Sequence, residues 1–165
     1  MAKSDSFFIR ARVSTNGTNF AQESIDLGAY VDALGKSVLR IHNIAVQYGT
    51  PQDVPNTGVN TATTTAFQLT TQSHTAMVDA TDKSLISSGK LVAMGGLLVG
   101  NPQSISESLD IAPQHFSRGY LVGVEQIYLG VDQTSDALDQ VTVVLECQVE
   151  SLTQAGAMAL ALSQQ

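Results

Sequence analysis

The sequence of 165 residues contains little of what catalytic and disulfide-stabilised proteins depend on. It has one cysteine, Cys147, and no tryptophan, and only 14% of its residues are charged, against about a quarter in an ordinary soluble domain. One cysteine excludes an internal disulfide, so the sequence neither requires nor excludes an oxidising compartment. A weakly charged chain rich in Thr, Ser, Gln, Ala and Gly is typical of proteins covered by neighbouring subunits, and also of extracellular β modules.

Basic residues are scarce as well. Eight Lys and Arg stand against fifteen Asp and Glu, and the net charge is -7. The nearest approach to a basic segment is the N-terminal group of Lys3, Arg10 and Arg12, with Asp5 among them. Binding to nucleic acid requires several cations that neutralise phosphates. We therefore predict no strong direct contact with nucleic acid.

Long apolar segments are absent from the sequence. No run reaches the roughly 18 apolar residues of a membrane-spanning helix, and no apolar stretch of about 7–15 residues follows Lys3, as a secretory signal peptide would require. The sequence therefore predicts a protein that folds in the cytosol, where it is made.

The titratable residues do not form a recognisable catalytic or metal-binding pattern. His42, His74 and His115 are widely spaced, and the acidic segment DQTSDALD lacks the spacing of a calcium loop. The glycine-rich segment GKLVAMGGLLVGN lacks the Lys-Ser/Thr of a phosphate loop, and no serine lies in a G-x-S-x-G motif. Cys147 alternates with apolar residues and is interpreted as a small buried side chain. We predict no enzymatic activity, no metal and no cofactor.

Apolar and polar residues alternate with a period of two along most of the chain, which predicts β-strands. The clearest strand is VTVVLECQVE, and FFIRARVS, ESIDLGAYVD and GYLVGVEQIYLGVD are further strands. In SVLRIHNIAVQY the apolar phase changes near His42-Asn43, which predicts a β-bulge or a strand buried on both faces. Residues 49–60 and 101–118 are polar and contain proline, so we expect two long loops. The pattern predicts one all-β domain over 1–165, an antiparallel sandwich or barrel of about eight strands.

The C-terminal segment 151–165, SLTQAGAMALALSQQ, is composed of strong helix formers and predicts a short helix with Ser151 as its N-cap. Its apolar residues cover nearly all sides, so the helix needs more than one neighbour. It packs on its own domain, docks on an adjacent subunit or lies on a membrane, and its lack of Lys and Arg disfavours the membrane. The candidate subunit-contact residues are Leu152, Met158, Leu160 and Leu162.

Three stretches together resemble a known family. They are ESIDLGAYVDALGKSVLRIHNIAVQYG, GVEQIYLGVDQTS and VTVVLECQVESLTQAGAMALALSQQ. In size, strand order and style, the chain is similar to the single jelly-roll capsid proteins of tailless icosahedral viruses, especially sequences from marine microbial viruses. The resemblance implies an antiparallel jelly-roll β-sandwich, with the short C-terminal helix at the end of the chain.

The same resemblance implies a function. It implies a structural virion protein, a capsid subunit that self-associates into an icosahedral shell, alone or with other capsid proteins, and that is assembled in the host cytoplasm. The alternatives are a carbohydrate-binding-like extracellular module and a surface-filament subunit. The absence of tryptophan disfavours the first, and the lack of a signal peptide disfavours the second.

The chain departs from the family in one respect. Many small-genome capsid proteins of this class begin with an Arg- and Lys-rich arm, whereas this chain begins with MAKSDSFFIRAR. Either other proteins contact the genome, or an internal membrane separates shell from genome, as in the relatives with upright jelly rolls. No residue pattern supports direct contact with such a membrane.

Overall fold

Alternation with a period of two does produce strands along most of the chain. A computed structural model describes residues 3–32, 34 and 36–165, and the predicted domain of 1–165 also contains residues 1, 2, 33 and 35, which lie outside that range. The described residues form nine strands, in chain order β1 (Phe7–Ser14), β2 (Ala21–Asp26), β3 (Ser37–Tyr48), β4 (Ala62–Thr70), β5 (Leu85–Gly95), β6 (Pro102–Ile111), β7 (Tyr120–Val122), β8 (Gln126–Gln133) and β9 (Gln140–Ser151). A 3-10 turn (Pro113–His115) precedes β7, and helix α1 (Gln154–Ser163) follows β9.

The strands form two antiparallel sheets. The first sheet has the order β1-β9-β3-β7, and the second has the order β2-β8-β4-β5-β6. With β6 set aside, the first strand pairs with the last, the second with the second to last, and so on inward to β4 and β5. This nested pairing across two sheets is the jelly-roll topology. The predicted antiparallel jelly-roll β-sandwich with a short C-terminal helix is therefore confirmed.

The core lies between the two sheets. Inward residues of β9, among them Val143, Leu145 and Cys147, are fully buried and face residues of the second sheet such as Phe67. Tyr48 of β3 meets Phe67 edge to face, with ring centroids 6.2 Å apart. The residues of VTVVLECQVE alternate because one face of β9 packs against the core and the other face points outward.

The phase change in β3 is a β-bulge, as predicted. The register between β3 and β9 shifts between Ile41 and Asn43. Because one extra residue is inserted there, Ile41 and Ile44 are both buried although their parity differs.

Strand β6 corrects one prediction. Residues 101–118 are not a continuous loop, because Pro102–Ile111 forms an edge strand paired with β5. Most of its side chains are exposed. Ile105, Leu109 and Ile111 do share one parity, but Glu107 interrupts the series. The many polar residues and the flanking prolines therefore favoured a loop. The predicted loop at 49–60 is confirmed, since no strand lies between β3 and β4.

The segment GYLVGVEQIYLGVD is two strands rather than the single strand predicted. Strand β7 pairs with β3 in the first sheet, whereas β8 pairs with β2 and β4 in the second. The chain crosses between sheets at residues 123–125. Val122 just before the crossing and Val124 within it are both buried, so the apolar pattern continues through the crossing and hides the change of sheet.

Strand β2 is also shorter than predicted. It ends at Asp26, and the amides of Tyr30 and Val31 both donate to the carbonyl of Leu27 in a tight turn. Leu27 and Val31 remain buried, whereas Ala29 is exposed. Leu27 and Val31 are four residues apart, and side chains at that spacing lie on the same side both in a strand and in a helical turn. The apolar pattern therefore does not distinguish a strand from a turn here.

Candidate functional site

Helix α1 packs on its own domain. Ser151 is the last residue of β9 and not the N-cap that we predicted, because it still pairs with Ser37 of β3. The N-cap is Thr153, whose hydroxyl oxygen accepts a hydrogen bond from the amide of Gly156 at 3.1 Å. The tail 151–165 is therefore a helix only from Gln154 to Ser163.

The helix approaches the main chain between β7 and β8 closely. Ala157 and Ala161 are buried on its inner face. A Cβ atom on Gly123 would lie 2.9 Å from the Cγ atom of Leu160, so only glycine allows this approach. The inner face of α1 is therefore matched to its own domain.

Gln164 fastens the end of the helix to the domain and was not identified from the sequence. Its side-chain oxygen accepts from the amide of Gly123 at 2.8 Å, and its side-chain nitrogen donates to the carbonyl of Leu121 at 2.7 Å. Its own carbonyl accepts from the hydroxyl of Thr71 at 3.0 Å. Gln164 therefore joins the chain after β7 in the first sheet to the chain after β4 in the second. No local pattern marks this role, since the partners are distant in sequence.

The four predicted subunit-contact residues divide into two pairs. Leu152 and Leu160 are half-buried against the domain. Met158 and Leu162 lie one turn apart on the outer face, and 43% and 70% of their respective surfaces are exposed. The structure places Met158 and Leu162 where a neighbour can reach them, and contact with another subunit stays a prediction for all four.

A buried ionic cluster lies at the same end of the molecule. Glu150 of β9 is fully buried and binds Arg40 through both carboxylate oxygens, at 2.5 and 2.9 Å. The ammonium group of Lys3 lies 3.1 Å from the same carboxylate. The hydrogen bond from Arg40 is the main cause that lowers the pKa of Glu150 to about 2. Glu150 thereby holds the N-terminal segment and β3 together.

The turn between β5 and β6 carries three consecutive apolar side chains that are exposed. Leu97, Leu98 and Val99, which we call the apolar tip, expose 83%, 66% and 74% of their surfaces. Gly96 and Gly100 flank them, and Gly100 has a positive φ of 81° that favours glycine. In the sequence, these residues belong to the glycine-rich segment GKLVAMGGLLVGN, which was considered as a phosphate loop. The sequence feature that could have indicated an exposed turn is the apolar triplet Leu97-Leu98-Val99 between two glycines.

Main-chain hydrogen bonds hold the apolar tip in place. The amide of Gly100 donates to the carbonyl of Thr57 at 2.8 Å, and the amide of Asn60 donates to the carbonyl of Gly96 at 3.0 Å. The neighbouring loop, residues 49–61, adds the exposed side chains of Val54 and Val59. The tip thus has a defined shape while its side chains face outward.

The apolar tip and helix α1 lie at opposite ends of the sandwich. Strand β5 begins at Leu85, next to the Thr71–Ser84 hydrogen bond and hence to Gln164, and ends at Gly95, next to the tip. Its 11 residues span roughly 35 Å at about 3.3 Å per residue. We call these the helix end and the loop end.

Cys147 and the three histidines lie in different elements of the fold. Cys147 is buried, and burial raises the pKa of its thiol to about 12, which fits the buried side chain predicted for it. His42 lies at the β3 bulge, His74 in the loop before β5 and His115 in the 3-10 turn. Among the residues of the described ranges, no three His, Cys, Asp or Glu side chains are placed to hold a metal ion.

Within the described part of the chain, no helix has both the length and the apolar character needed to cross a bilayer.

Comparison with known proteins yields structural similarities only. No family model matches the sequence, and no curated protein matches it. One similar solved structure is the unassembled pentamer of Merkel Cell Polyomavirus VP1, with 7% identity and a TM-score of 0.46 over 93% of this chain and 98% of that chain.

A second similar structure is the virus-like particle (VLP) of the giant freshwater prawn Macrobrachium rosenbergii extra small virus (XSV). Its identity is 10% and its TM-score 0.34, over 91% of this chain and 82% of that chain. The strand order of the two sheets, rather than these similarities, defines the fold described above.

Proposed function

We propose that this chain is a structural subunit of a virus shell, which self-associates and catalyses no reaction. The observation that carries the proposal is the apolar tip, three consecutive large apolar side chains that are each at least 66% exposed. Contiguous exposed apolar surface in a protein with a complete core marks a site of contact with another molecule.

A second exposed apolar pair strengthens the proposal. Met158 and Leu162 lie at the helix end, away from the tip at the loop end. Two different contact surfaces on one subunit allow heterologous contacts, in which each copy touches neighbours through unlike surfaces, and such contacts build rings and larger assemblies. A single self-complementary surface would stop at a dimer. The separation of the two surfaces therefore fits a shell subunit.

The proposal includes the predicted surroundings of the subunit. Its location is the virion, after assembly in the host cytoplasm, and its partners are further copies of itself with or without other capsid proteins. The domain 1–165 acts as one unit, and its candidate subunit-contact residues are Leu152, Met158, Leu160 and Leu162. The net charge of -7 disfavours strong direct contact with nucleic acid.

The proposal is tested by electron microscopy and light scattering of the purified chain. We expect the unaltered protein to form rings or shells. The triple variant Leu97→Ser, Leu98→Ser, Val99→Ser should remain folded and lose them, because its tip no longer removes apolar surface from water on contact. The matched control is the double variant Leu97→Met, Leu98→Met, which keeps the tip apolar and should assemble.

Two outcomes count against the proposal. Monodisperse monomers of the unaltered chain at high concentration, under all conditions, would favour an extracellular binding module instead. Assembly that is unchanged both by the triple serine variant and by Met158→Ser with Leu162→Ser would show that neither apolar surface joins the subunits.

A further inference from the structure

A basic cleft opens on the outer side of the first sheet. Its volume is about 340 Å³, and it is lined by Lys3, Arg40, His42, Ser117 and Arg118. Three of the eight Lys and Arg residues of the chain therefore meet in one place, although the whole chain has a net charge of -7. This concentration of positive charge runs against the overall balance of the protein.

One buried carboxylate supports this cleft. Arg40 donates from Nε and Nη2 to Glu150, and from Nη1 to the carbonyl of Arg118 at 2.5 Å. Its guanidinium is thus fixed in position. Lys3 reaches the same carboxylate at 3.1 Å, but half of its side chain stays exposed, so its ammonium group has further donors for a ligand.

Arg118 supplies the charge that Glu150 does not balance. Its side chain is exposed, and in the described ranges no carboxylate lies within 4.0 Å of its guanidinium. Glu146, the preceding outward carboxylate of β9, accepts a hydrogen bond from Asn43 and is roughly 13 Å from Glu150 along the strand. Lys3, Arg40 and Arg118 with Glu150 therefore leave the cleft with a net charge of +2.

We propose that this basic cleft binds a phosphate monoester. A monoester carries close to two negative charges at neutral pH and several strong acceptor oxygens, which match the net charge of the cleft. The guanidinium of Arg118 presents a planar fork suited to phosphate oxygens, and the Lys3 ammonium and the Ser117 hydroxyl provide further donors.

The same charge count selects among anions. A carboxylate or one phosphodiester group carries a single negative charge and leaves the cleft half neutralised. A long nucleic acid would also meet the repulsion of a chain with a net charge of -7. The site is therefore for one terminal phosphate group, and it does not depend on the proposal that the chain forms a shell.

The test is isothermal titration calorimetry of the whole chain at constant ionic strength and about pH 7.5, where monoesters are mostly dianions. The probes are inorganic phosphate and adenosine 5′-monophosphate, compared with acetate and with a single-stranded oligonucleotide that lacks terminal phosphates. We expect saturable binding of the first two probes, and binding at least about tenfold weaker for the other two.

Variants assign the binding to the cleft. Arg118→Ala should weaken phosphate binding about tenfold, and Arg118→Lys should recover part of the loss, since the charge is kept but the fork is not. Lys90→Ala, which removes an exposed cation from β5 in the other sheet, is the matched control and should bind as the unaltered chain does. Unchanged melting temperatures exclude unfolding as the cause.

Three results would overturn the assignment: no saturable binding of either phosphate probe, equal binding by Arg118→Ala and the unaltered chain, or binding of acetate or the oligonucleotide as tight as that of adenosine 5′-monophosphate. The last result would mean a general anion site or a nucleic-acid contact instead of a monoester site.

Discussion

On the inner face of α1, at the helix end, apolar side chains are covered, whereas in the apolar tip, at the loop end, they are exposed. At the helix end, Ala157 and Ala161 are buried and Leu160 lies against Gly123. At the loop end, the apolar tip projects from the sheet and the side chains around it leave it exposed. Both segments are rich in Leu and lie next to strands of the same jelly roll.

The difference lies in what holds each end together. The helix end depends on side chains, because Gln164 and Glu150 each join segments that are far apart in the sequence. The tip is shaped by main-chain hydrogen bonds to residues 57–61, so its side chains contribute little to folding. Side chains that the fold does not need are available to a neighbour, and this contrast can be tested by substitution at each end.

Removing the helix should have the largest effect. A chain that stops after Ser151 loses the apolar cover over Gly123 and all hydrogen bonds of Gln164. We expect the free energy of unfolding to fall by about 4 kcal/mol, and Tm by roughly 10 °C for a domain of this size. Differential scanning calorimetry measures both. A chain that lacks only the exposed Gln165 should be unaffected, and a truncated chain with an unchanged Tm would contradict own-domain packing.

Glu150→Gln should have the next largest effect. Since the pKa of Glu150 in the folded protein is about 2, below its ordinary value of 4.5, its carboxylate stabilises the fold by about 3 kcal/mol at neutral pH. This contribution is present above about pH 4.5 and disappears as the pH falls through 2.

Urea unfolding at several pH values checks the sign of this effect. The stability difference between the unaltered chain and Glu150→Gln should be largest near neutral pH and should vanish at about pH 2. Glu146→Gln, which removes a partly exposed carboxylate from the same strand, should change stability by less than about 1 kcal/mol. A difference independent of pH would show that the charge of Glu150 is not what stabilises the fold.

Gln164→Ala should have a smaller effect at the same end. It leaves the amide of Gly123 and the carbonyl of Leu121 without their side-chain partner, and each unpaired buried group costs about 1–3 kcal/mol. We expect a loss of about 2 kcal/mol in the free energy of unfolding, measured by urea titration. Gln165→Ala is the control. If Gln164→Ala and Gln165→Ala lower the free energy of unfolding by the same amount, Gln164 does not fasten the helix.

The apolar tip should show the smallest effect on folding. Replacing Leu97, Leu98 and Val99 with serine should change the free energy of unfolding by at most about 0.5 kcal/mol, as for other exposed positions. Thermal unfolding of the non-assembled protein measures this value. A loss comparable to that of Gln164→Ala would mean that the tip packs within its own subunit and that the contrast between the two ends is wrong.

Much of the strand pattern was predictable from the sequence, and the errors have a common cause. Strands β1, β3 and β9 and the bulge near His42 followed from alternation, because each strand has one face against the core. Strand β6 was missed because its few apolar residues lie among polar residues and between two prolines. The crossing between β7 and β8 was missed because the apolar pattern continues through it. In both segments the local apolar pattern does not show how many strands there are or which sheet each strand joins.

The candidate site was predictable in part. The composition of the tail predicted an apolar helix, and Met158 and Leu162 are indeed exposed on it. The sequence could not indicate that Leu160 faces inward, that Gln164 joins the two sheets, or that Leu97 to Val99 project into solvent. Each of these facts depends on the position of a second segment elsewhere in the chain.

The sequence by itself determined most of the extended stretches, the presence of the C-terminal helix and how little charge the chain carries. These properties follow from side-chain periodicity, helix propensity and composition, which are local. Only the tertiary structure decided which strands share a sheet, which apolar residues of α1 are covered and which cations meet at Glu150. Main-chain hydrogen bonds between strands are alike for every residue, so they do not select which strands pair. The pairing is determined by the burial of side chains between segments that are distant in the sequence.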